Sequence, residues 1–363
     1  MPTSIFNTFK EALSSELQSS EERTKDKVTG EEVTAEQQIV EATAVVGGYN
    51  LVSRFLVALD VDDKAELSVP IPTVERVSIP VSGSSAENRE DAALHAVYLP
   101  RQGDQTDRTL VFVNSLLTNY RMWRYTWDRL NKDYNLVFYD QRGHGGSYTP
   151  SNSKEEGRCD MDLLADDLLA VLDHFKIDRA HAVIGISQGG ATTLNFALRY
   201  PERAGKIVAG DTQAKSPEAN VKAWDERIQL AKAEGMGKLA DATIPRWFAE
   251  GSSFDKERDY GWLKEGVEGT TVEGFAYSAA ALQGYDLLAA GLVDALSKRP
   301  EGTTMLLAGE MDGKLPDGLK ALGREVEEAG GSVRVEVVPR GGHLPCVNEP
   351  EAFLDVLCEF LKE

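Results

Sequence analysis

The sequence predicts an α/β fold in which a mostly parallel, eight-stranded sheet is covered by helices on both faces. Continuous apolar runs that alternate with helical patterns are expected of parallel strands covered on both faces. Two earlier runs, at 76–82 and 93–100, are joined by a polar stretch and predict an antiparallel opening pair. The six continuous runs lie at 109–115, 134–140, 180–187, 205–211, 303–310 and 333–339.

The alternation of strand and helix stops between residues 212 and 290. This stretch has the pattern of consecutive helices, as in VKAWDERIQLAKAEGMGKLADATIPRWFAE, and no strand interrupts it. Because it is inserted between two strands of the sheet, we expect a helical cap over the strand ends. The predicted domains are therefore an N-terminal extension over 1–70, core over 75–211, cap over 212–290 and core again over 291–363.

The N-terminal extension is polar and has helical patterns. Its clearest piece, residues 34–60, begins with a capping box of Thr34 and Gln37 and carries a broad apolar stripe. Such a stripe needs a covering surface. We expect that surface to be the rest of the chain or, in a homodimer formed through these helices, a second copy.

Charge and cysteine content narrow the class of partner. The chain has 39 basic and 59 acidic residues, a net charge of −20. This charge repels a phosphate backbone and an anionic membrane, so we expect a small-molecule substrate and neither nucleic acid nor membrane. The three cysteines are too scattered for a disulfide framework or a CxxC metal site. Because no apolar run has the length of a signal peptide or membrane helix, we expect a soluble, cytoplasmic protein.

The stretch GISQGG, residues 185–190, contains the first candidate for chemistry. It places Ser187 in a G-x-S-x-G motif between a predicted buried strand and a predicted helix. Gly185 and Gly189 leave room for a tight turn that exposes the serine hydroxyl, and the helix that begins at Gln188 directs free N–H groups toward it. Glycine and serine also favour ordinary bends, so the motif alone is a modest signal. The flanking strand and helix favour a nucleophile.

A serine nucleophile needs a base to take its proton, and the base needs an acid to orient it. His343 follows the last predicted strand directly and precedes the final helix, which is the position expected of that base. We favour structural roles for the other histidines because they lie in strands, at a helix end or in a turn: His95, His144, His174 and His181.

Two carboxylates compete for the role of the acid. Asp312 follows the strand at 303–310 and preserves the chain order serine, acid, histidine, so we favour it. Asp211 ends the strand before the cap and remains the alternative, either as the acid or as a hydrogen-bonded strand-end carboxylate. Glu310 is a weaker substitute for Asp312.

Acyl transfer also needs two donors directed at the developing oxyanion. The backbone N–H of Gln188 is the first candidate, and that of Leu116, in the loop after the strand at 109–115, is the second. Alternatively, the stretch NSLLTN is only a loop that caps the next helix. That role does not exclude the oxyanion role, because the proposed donor is a backbone N–H.

Aromatic and basic residues near these elements are candidates for the substrate pocket. For each of them the alternative is core packing or a solvated surface charge. We expect one or two members of a larger apolar set to line the pocket: Met122, Trp123, Trp224, Trp247, Phe248, Phe275 and Tyr277. The cations in the best positions to meet a substrate carboxylate are Arg121, Arg246 and Lys215.

Several stretches together resemble the α/β-hydrolase family, and within it the 3-oxoadipate enol-lactonases. They include VFVNSLLTNYRMWRYTWDRL, FYDQRGHGGS, IGISQGGATTLNFALRYPER, the cap segments EGMGKLADATIPRWFAEG and VEGFAYSAAALQGYDL, and GGHLPCVNEPEAF. The resemblance covers residues 75 to 363 and implies hydrolysis of a lactone or ester through an acyl-enzyme on Ser187. It implies His343 as base and then acid, Asp312 as its orienting partner, and no metal or organic cofactor.

The chain departs from those enzymes beside the predicted oxyanion donors, which leaves the substrate open. Gln188 stands where they commonly have Met, and NSLL replaces NSLG. Haloalkane dehalogenase and epoxide hydrolase chemistry are disfavoured because they need a carboxylate at position 187. The same triad fits a second reaction, cleavage of a carbon–carbon bond in a β-diketone-like substrate. It also fits a receptor-like binding protein in which a slow triad captures the ligand.

In the extension, VVGGYNLVSRFLVALDVD resembles the closing part of a carboxymuconolactone decarboxylase-like domain, without the CxxC of the alkylhydroperoxidases. An ordinary amphipathic helix is the alternative for this segment.

Overall fold

The structure, a computed structural model, describes residues 24–25, 32–33, 75–81, 92–102, 106–149 and 159–362. The chain divides into two units, Met1–Ile71 and Pro72–Glu363. In the first unit the described residues form a short antiparallel pair, β1 (Thr24–Lys25) and β2 (Glu32–Val33). These four residues are strand where the sequence analysis expects helix. The predicted helix at 34–60 lies outside the described residues.

The second unit contains the predicted eight-stranded sheet, and each strand lies within two residues of its predicted range. The strands are β3 (Glu75–Pro80), β4 (Ala93–Leu99), β5 (Thr109–Val113), β6 (Asn135–Tyr139), β7 (Ala180–Ile186), β8 (Ala204–Gly210), β9 (Thr304–Gly309) and β10 (Arg334–Val338). Their order across the sheet is β10-β9-β8-β7-β5-β6-β4-β3. The β3–β4 and β4–β6 pairs are antiparallel and the others are parallel, which confirms the antiparallel opening pair.

Two hydrophobic clusters explain why the central strands are apolar throughout. In β5, Leu110 and Phe112 belong to one cluster while Val111 and Val113 belong to the other. Because successive strand side chains point to opposite faces, both faces of the sheet are buried. The helices that follow in the chain are α1 (Trp127–Leu130), α2 (Met161–His174), α3 (Gln188–Arg199), α4 (Glu218–Trp247), α5 (Lys256–Glu268), α6 (Val272–Ala279), α7 (Leu292–Ser297), α8 (Leu315–Glu328), α9 (Pro345–Asn348) and α10 (Pro350–Lys362).

Helices α4, α5 and α6 fall in the range where the sequence predicts a cap, between β8 and β9. The side chains of Asp255 and Thr271 cap the N-termini of α5 and α6. Helix α4 is kinked at Gly235, whose φ is 84°. The division of the second unit into core and cap stays a prediction. Among the described residues, no helix has the length and apolar character needed to cross a lipid bilayer.

Candidate active site

Ser187 lies on a sharp turn between β7 and α3. Its φ of 61° and ψ of −117° are strained for a residue with a side chain. The turn is held by hydrogen bonds from Ser187 N to Gly210 O (2.8 Å) and from Ala191 N to Ser187 O (3.0 Å). A Cβ at Gly189 would collide with the carbonyl of Val113, so the turn requires glycine there. The local backbone is therefore that of a strained strand-to-helix turn with an accessible serine.

A chain of two hydrogen bonds joins the three predicted catalytic residues. The Oγ of Ser187 lies 2.9 Å from Nε2 of His343, and Nδ1 of His343 lies 2.7 Å from Oδ2 of Asp312. A proton on Nδ1, donated to Asp312, leaves Nε2 free to accept the serine proton. The backbone N–H of His343 donates to the carbonyl of Trp247 at 2.7 Å, so the end of α4 fixes the loop that carries the histidine.

Asp211 is close to this chain of hydrogen bonds but does not form part of it. Ligand oxygens of Asp211 and Asp312 and a ring nitrogen of His343 lie within 4.8 Å of one another, yet it is Asp312 that bonds to the imidazole. Oδ1 of Asp211 accepts the N–H of Gly309 at 2.8 Å, and its buried Oδ2 has no donor among the described residues. Burial, and after it the negative charge of Asp312, raises the pKa of Asp211 well above its usual range. This shift favours the protonated form of Asp211, which can donate a hydrogen bond to Asp312.

The weaker substitute, Glu310, is bound elsewhere. Its Oε2 accepts the backbone N–H of Arg340 at 2.9 Å.

The loop after β5 presents one uncommitted N–H beside the serine. Ser115 N–H contacts Sδ of Met122 at 3.3 Å, and Leu117 N–H donates to Nε2 of His144 at 2.9 Å. For the N–H of Leu116 between them, the described residues supply no acceptor, and Leu116 lines the cavity at Ser187. Gln188 is the first residue of α3, so its backbone N–H has no intrahelical acceptor. These are the two donors that the sequence analysis selects.

His144 shapes this loop, a role that the sequence analysis assigned only to structure in general. Its Nδ1 lies 3.1 Å from the carbonyl of Arg142, so Nδ1–H donates there and Nε2 accepts from Leu117. The ring is 1% exposed. Burial lowers the pKa of His144 to about 4, which keeps it neutral and keeps Nε2 an acceptor. The positive φ of Leu117, 67°, is held by this bond.

The side chain of Gln188 connects the turn to helix α6. Its Nε2 donates to the carbonyl of Ser278 in α6 at 2.8 Å, and its Oε1 accepts from the hydroxyl of Ser278 at 3.1 Å. Oε1 also accepts from Nε2 of Gln141 at 3.3 Å. Gln188, which stands where the enol-lactonases commonly have Met, therefore makes polar contacts with α6, and its backbone N–H remains available.

A cavity of about 340 Å³ opens onto Ser187 and His343. Two of the predicted pocket residues, Trp224 and Trp247, line it, as does Arg246. The structure corrects the prediction for the other apolar candidates. Four of them are buried and do not line the cavity: Met122, Phe248, Phe275 and Tyr277. Trp123 is fully buried and its Nε1 donates to Oδ1 of Asn114 at 2.8 Å, so it belongs to the core.

Neither of the other two predicted cations reaches the cavity. Arg121 is exposed and lies 4.0 Å from Glu265 of α5. Lys215 pairs with Asp286 at 2.6 Å. Both therefore have the surface role that the sequence analysis gave as the alternative.

Sequence reasoning missed Arg227, Tyr285 and Lys314, which also line the cavity. Arg227 follows Trp224 by three positions, a spacing that puts both on one face of a helix. That spacing was the available signal for Arg227. Lys314 follows the triad carboxylate candidate by two positions in a loop, where no periodicity applies.

Several known proteins are similar to this chain. Over 184 residues the chain is 36% identical to 3-oxoadipate enol-lactonase 2 of Acinetobacter baylyi, covering 50% of this chain and 66% of the relative. It is 28% identical to 3-oxoadipate enol-lactonase 1 of the same organism, covering 72% of this chain and 91% of the relative. The enol-lactonase structure from Burkholderia xenovorans LB400 aligns with a TM-score of 0.64 at 26% identity, covering 76% of this chain and 98% of that one.

A thermophilic esterase from Thermogutta terrifontis also aligns with a TM-score of 0.64, at 21% identity over 79% of this chain and 98% of that one, which shows a shared fold. The family described as alpha/beta hydrolase fold matches residues 108–350. Because that match spans well over half of the chain, the protein belongs to the α/β hydrolase fold family.

Proposed function

We propose that the protein hydrolyses a lactone or ester through an acyl-enzyme on Ser187. The observation that carries this proposal is the hydrogen-bonded chain Ser187–His343–Asp312 at a cavity, with contacts of 2.9 and 2.7 Å. The two free backbone N–H groups, of Leu116 and Gln188, complete the set of parts that acyl transfer needs.

In the first half of the reaction, Oγ of Ser187 attacks the substrate carbonyl while Nε2 of His343 takes its proton. Asp312 stabilises the imidazolium that forms and holds the ring in the correct tautomer. The N–H groups of Leu116 and Gln188 stabilise the oxyanion. When the carbonyl re-forms, the bond to the leaving oxygen breaks and His343 donates its proton to that oxygen.

In the second half, a water molecule replaces the leaving group. The water oxygen attacks the acyl carbon while His343 takes a proton from the water, and the same two N–H groups stabilise the second oxyanion. The bond to Ser187 breaks, and the proton on Nε2 returns to Oγ. The products are a carboxylate and an alcohol or enol, and the three residues regain their starting state.

The relatives support a lactone as substrate. Two curated relatives at 36% and 28% identity are named 3-oxoadipate enol-lactonases. In a lactone the leaving oxygen stays tethered to the acyl group, so one product molecule leaves the site. Cleavage of a carbon–carbon bond would use the same triad, so the test includes identification of the products.

The test is fluorophosphonate labelling and turnover of activated esters and a panel of lactones, with wild type, Ser187→Ala and Ser297→Ala. We expect wild type to label at Ser187 and to turn over a lactone or ester repeatedly, and Ser187→Ala to lose about 10⁴-fold or more in kcat. Ser297, on α7, does not line the cavity, so Ser297→Ala is expected to match wild type.

Three results would contradict the proposal. If Ser187→Ala retains wild-type turnover, the nucleophile is not Ser187. If wild type labels once and releases product only over many minutes, the chain is a binding protein with a slow triad. If the products show that a carbon–carbon bond was cleaved, the reaction is the β-diketone-type cleavage considered from the sequence and not the hydrolysis of a lactone or ester.

A further inference from the structure

We propose that Gln141 and Thr118 are positioning residues for the oxyanion donor in the loop after β5. Both bind the carbonyl oxygen of Ser115, which belongs to the same peptide group as the N–H of Leu116. This inference rests on the proposed function, because that N–H matters only if Ser187 transfers an acyl group. It deepens the function by naming two side chains that do not line the cavity and yet control the rate.

The first observation is that the carbonyl oxygen of Ser115 accepts three hydrogen bonds. Nε2 of Gln141 donates at 3.0 Å, Oγ1 of Thr118 at 2.7 Å and the backbone N–H of Thr118 at 3.2 Å. The hydroxyl of Thr118 also lies 3.0 Å from Sδ of Met122, which is a weaker acceptor than the carbonyl. Ser115, Gln141 and Thr118 are all buried, so water does not compete for these bonds.

These bonds set the direction of the N–H of Leu116. In a planar trans peptide the C=O and the N–H point in opposite directions, and the peptide between Ser115 and Leu116 is trans. An oxygen held by Gln141 and Thr118 therefore leaves the N–H on the opposite side of the peptide plane. Leu116 lines the cavity at Ser187, and the described residues supply its N–H with no acceptor. Donors to the carbonyl also polarise the amide, which strengthens its N–H as a donor.

The other oxyanion donor is oriented in the same way by different groups. The N–H of Gln188 shares its peptide group with the carbonyl of Ser187, and that carbonyl accepts the backbone N–H of Ala191 at 3.0 Å. Helix α3 therefore orients this donor through its own backbone bonds. The loop after β5 is a turn and not a helix at this point. The side chains of Gln141 and Thr118 supply the bonds that a helix would supply.

Stability alone does not explain a glutamine at position 141. Its Oε1 is buried and has no donor among the described residues, which lowers the stability of the fold. The acceptors of its Nε2 have other donors. The carbonyl of Ser115 keeps both bonds from Thr118, and Oε1 of Gln188 keeps the bond from Ser278. We therefore expect Gln141→Leu to fold, so that its effect on the rate can be measured.

The experiment pairs each positioning residue with a control of the same chemistry. Thr118→Val removes a buried hydroxyl that donates to the carbonyl three positions earlier. Thr126→Val removes the same kind of bond, of 2.8 Å, from a residue that does not line the cavity. Gln141→Leu removes a buried amide that donates to a backbone carbonyl. Asn131→Leu removes another, which donates at 2.8 Å and also lies outside the cavity lining.

The rate of hydrolysis of 4-nitrophenyl acetate, above the background of Ser187→Ala, is the first measurement. We expect Gln141→Leu and Thr118→Val each to lower kcat by about tenfold, less than the 10²–10³-fold typical of losing an oxyanion donor outright. We expect kcat/KM to fall by the same factor, because the bond to the oxyanion forms in the transition state. Thr126→Val and Asn131→Leu are expected to keep the wild-type kcat.

Two kinetic results would overturn the positioning role and leave the proposed function standing. One is a wild-type kcat in both Gln141→Leu and Thr118→Val. The other is an equal loss of kcat in the two control variants, because the effect would then come from general loss of packing.

A structural measurement decides the positioning role if the proposed function fails. If wild type does not turn over the ester above the background, crystal structures of wild type and of the double variant Gln141→Leu/Thr118→Val are compared. Rotation of the peptide between Ser115 and Leu116 in the double variant supports the positioning role. An unchanged peptide overturns it.

Discussion

On the sheet side of the cavity the reactive polar groups are bonded to one another, whereas on the cap side two arginines have no protein partner among the described residues. The sheet side consists of the triad Ser187–His343–Asp312 with the loop around Leu116; the cap side consists of Arg227 and Arg246 on α4. Groups bonded to each other are held ready for a chemical step, and unpaired charges are available to a ligand.

The core contains an arginine that is paired with a carboxylate within the protein. Arg142 is 2% exposed, and it bonds to both carboxylate oxygens of Asp167 at 2.6 Å. Leaving a buried arginine unpaired is costly, so the core supplies it with a bidentate partner. Arg227, half-buried and lining the cavity, has no carboxylate partner among the described residues.

The largest predicted effect tests which carboxylate on the sheet side orients His343. Asp312→Asn is expected to lower kcat by about 10⁴-fold, because an amide at Nδ1 favours the wrong tautomer of the imidazole. Asp211→Asn is expected to stay within about tenfold of wild type. Its amide keeps an acceptor for Gly309 N–H and offers Asp312 the donor that a protonated Asp211 would supply. The measurement is kcat on whichever ester or lactone is turned over.

The reverse pattern would break the assignment. If Asp211→Asn loses activity and Asp312→Asn keeps it, Asp211 is the acid of the triad, the alternative that the sequence left open. Equal and severe loss in both variants would show that the two carboxylates act as a unit.

The second prediction concerns acid stability, again on the sheet side. The pKa of His144 is lowered by burial from 6.5 to about 4, so between these values the unfolded chain binds a proton that the folded chain does not. Stability is therefore lost as pH falls from 6.5 toward 4. The full loss from this group is about 3 kcal/mol.

Urea unfolding at about pH 7 and about pH 4.5 measures this effect. His144→Gln keeps an acceptor for Leu117 N–H and cannot titrate, so it is expected to lose less stability on acidification than wild type. His174→Gln, at the exposed end of α2, is the control and is expected to follow wild type. An identical acid loss in His144→Gln and wild type would rule out His144 as the source.

The sheet side and the cap side of the cavity also differ in how well the sequence predicts them. Ser187 and His343 were predictable because each follows a strand, and the ends of parallel strands meet at one edge of a sheet. The choice between Asp211 and Asp312 stayed open because both follow adjacent strands, β8 and β9, and only the hydrogen bond to His343 separates them.

On the cap side the sequence was a poorer guide. Helical periodicity assumes a straight helix, so the kink at Gly235 concealed the meeting of Arg227 and Arg246. The sequence favoured Arg121 together with Arg246 and Lys215, but Arg121 is exposed and lies beside Glu265. Which side chains reach the cavity depends on packing between residues that are far apart in the sequence, and local sequence patterns do not predict such packing.

The third prediction tests the kink. Gly235→Ala forces a residue with a Cβ into a φ of 84°, which costs about 1–2 kcal/mol of stability. Any relief by straightening α4 would separate Arg227 from Arg246 and change the lining of the cavity, so kcat/KM is expected to fall as well. Thermal unfolding and kcat/KM on whichever ester or lactone is turned over are the two measurements.

The variant Gly261→Ala makes the same chemical change as Gly235→Ala, but it is expected to raise stability and not to lower it. Gly261 lies inside α5 with nothing within 4 Å of an added Cβ, and its φ is not positive. Alanine there is expected to stabilise the protein by about 0.5–1 kcal/mol. If both variants are stabilised, the backbone at residue 235 is not held in the left-handed region.

The smallest effect is expected where the two sides meet. Gln188→Met removes the bonds to Ser278 and Gln141 but leaves the backbone N–H, so kcat is expected to stay within about threefold of wild type. Stability is expected to fall by about 1 kcal/mol because Ser278 loses a buried partner. A double-mutant cycle with Ser278→Ala, followed by urea unfolding, should give a coupling of about that size. A fall in kcat of about 100-fold would instead indicate that the Gln188 side chain contacts the substrate. A side chain that only bonds to α6 is expected to affect stability more than kcat.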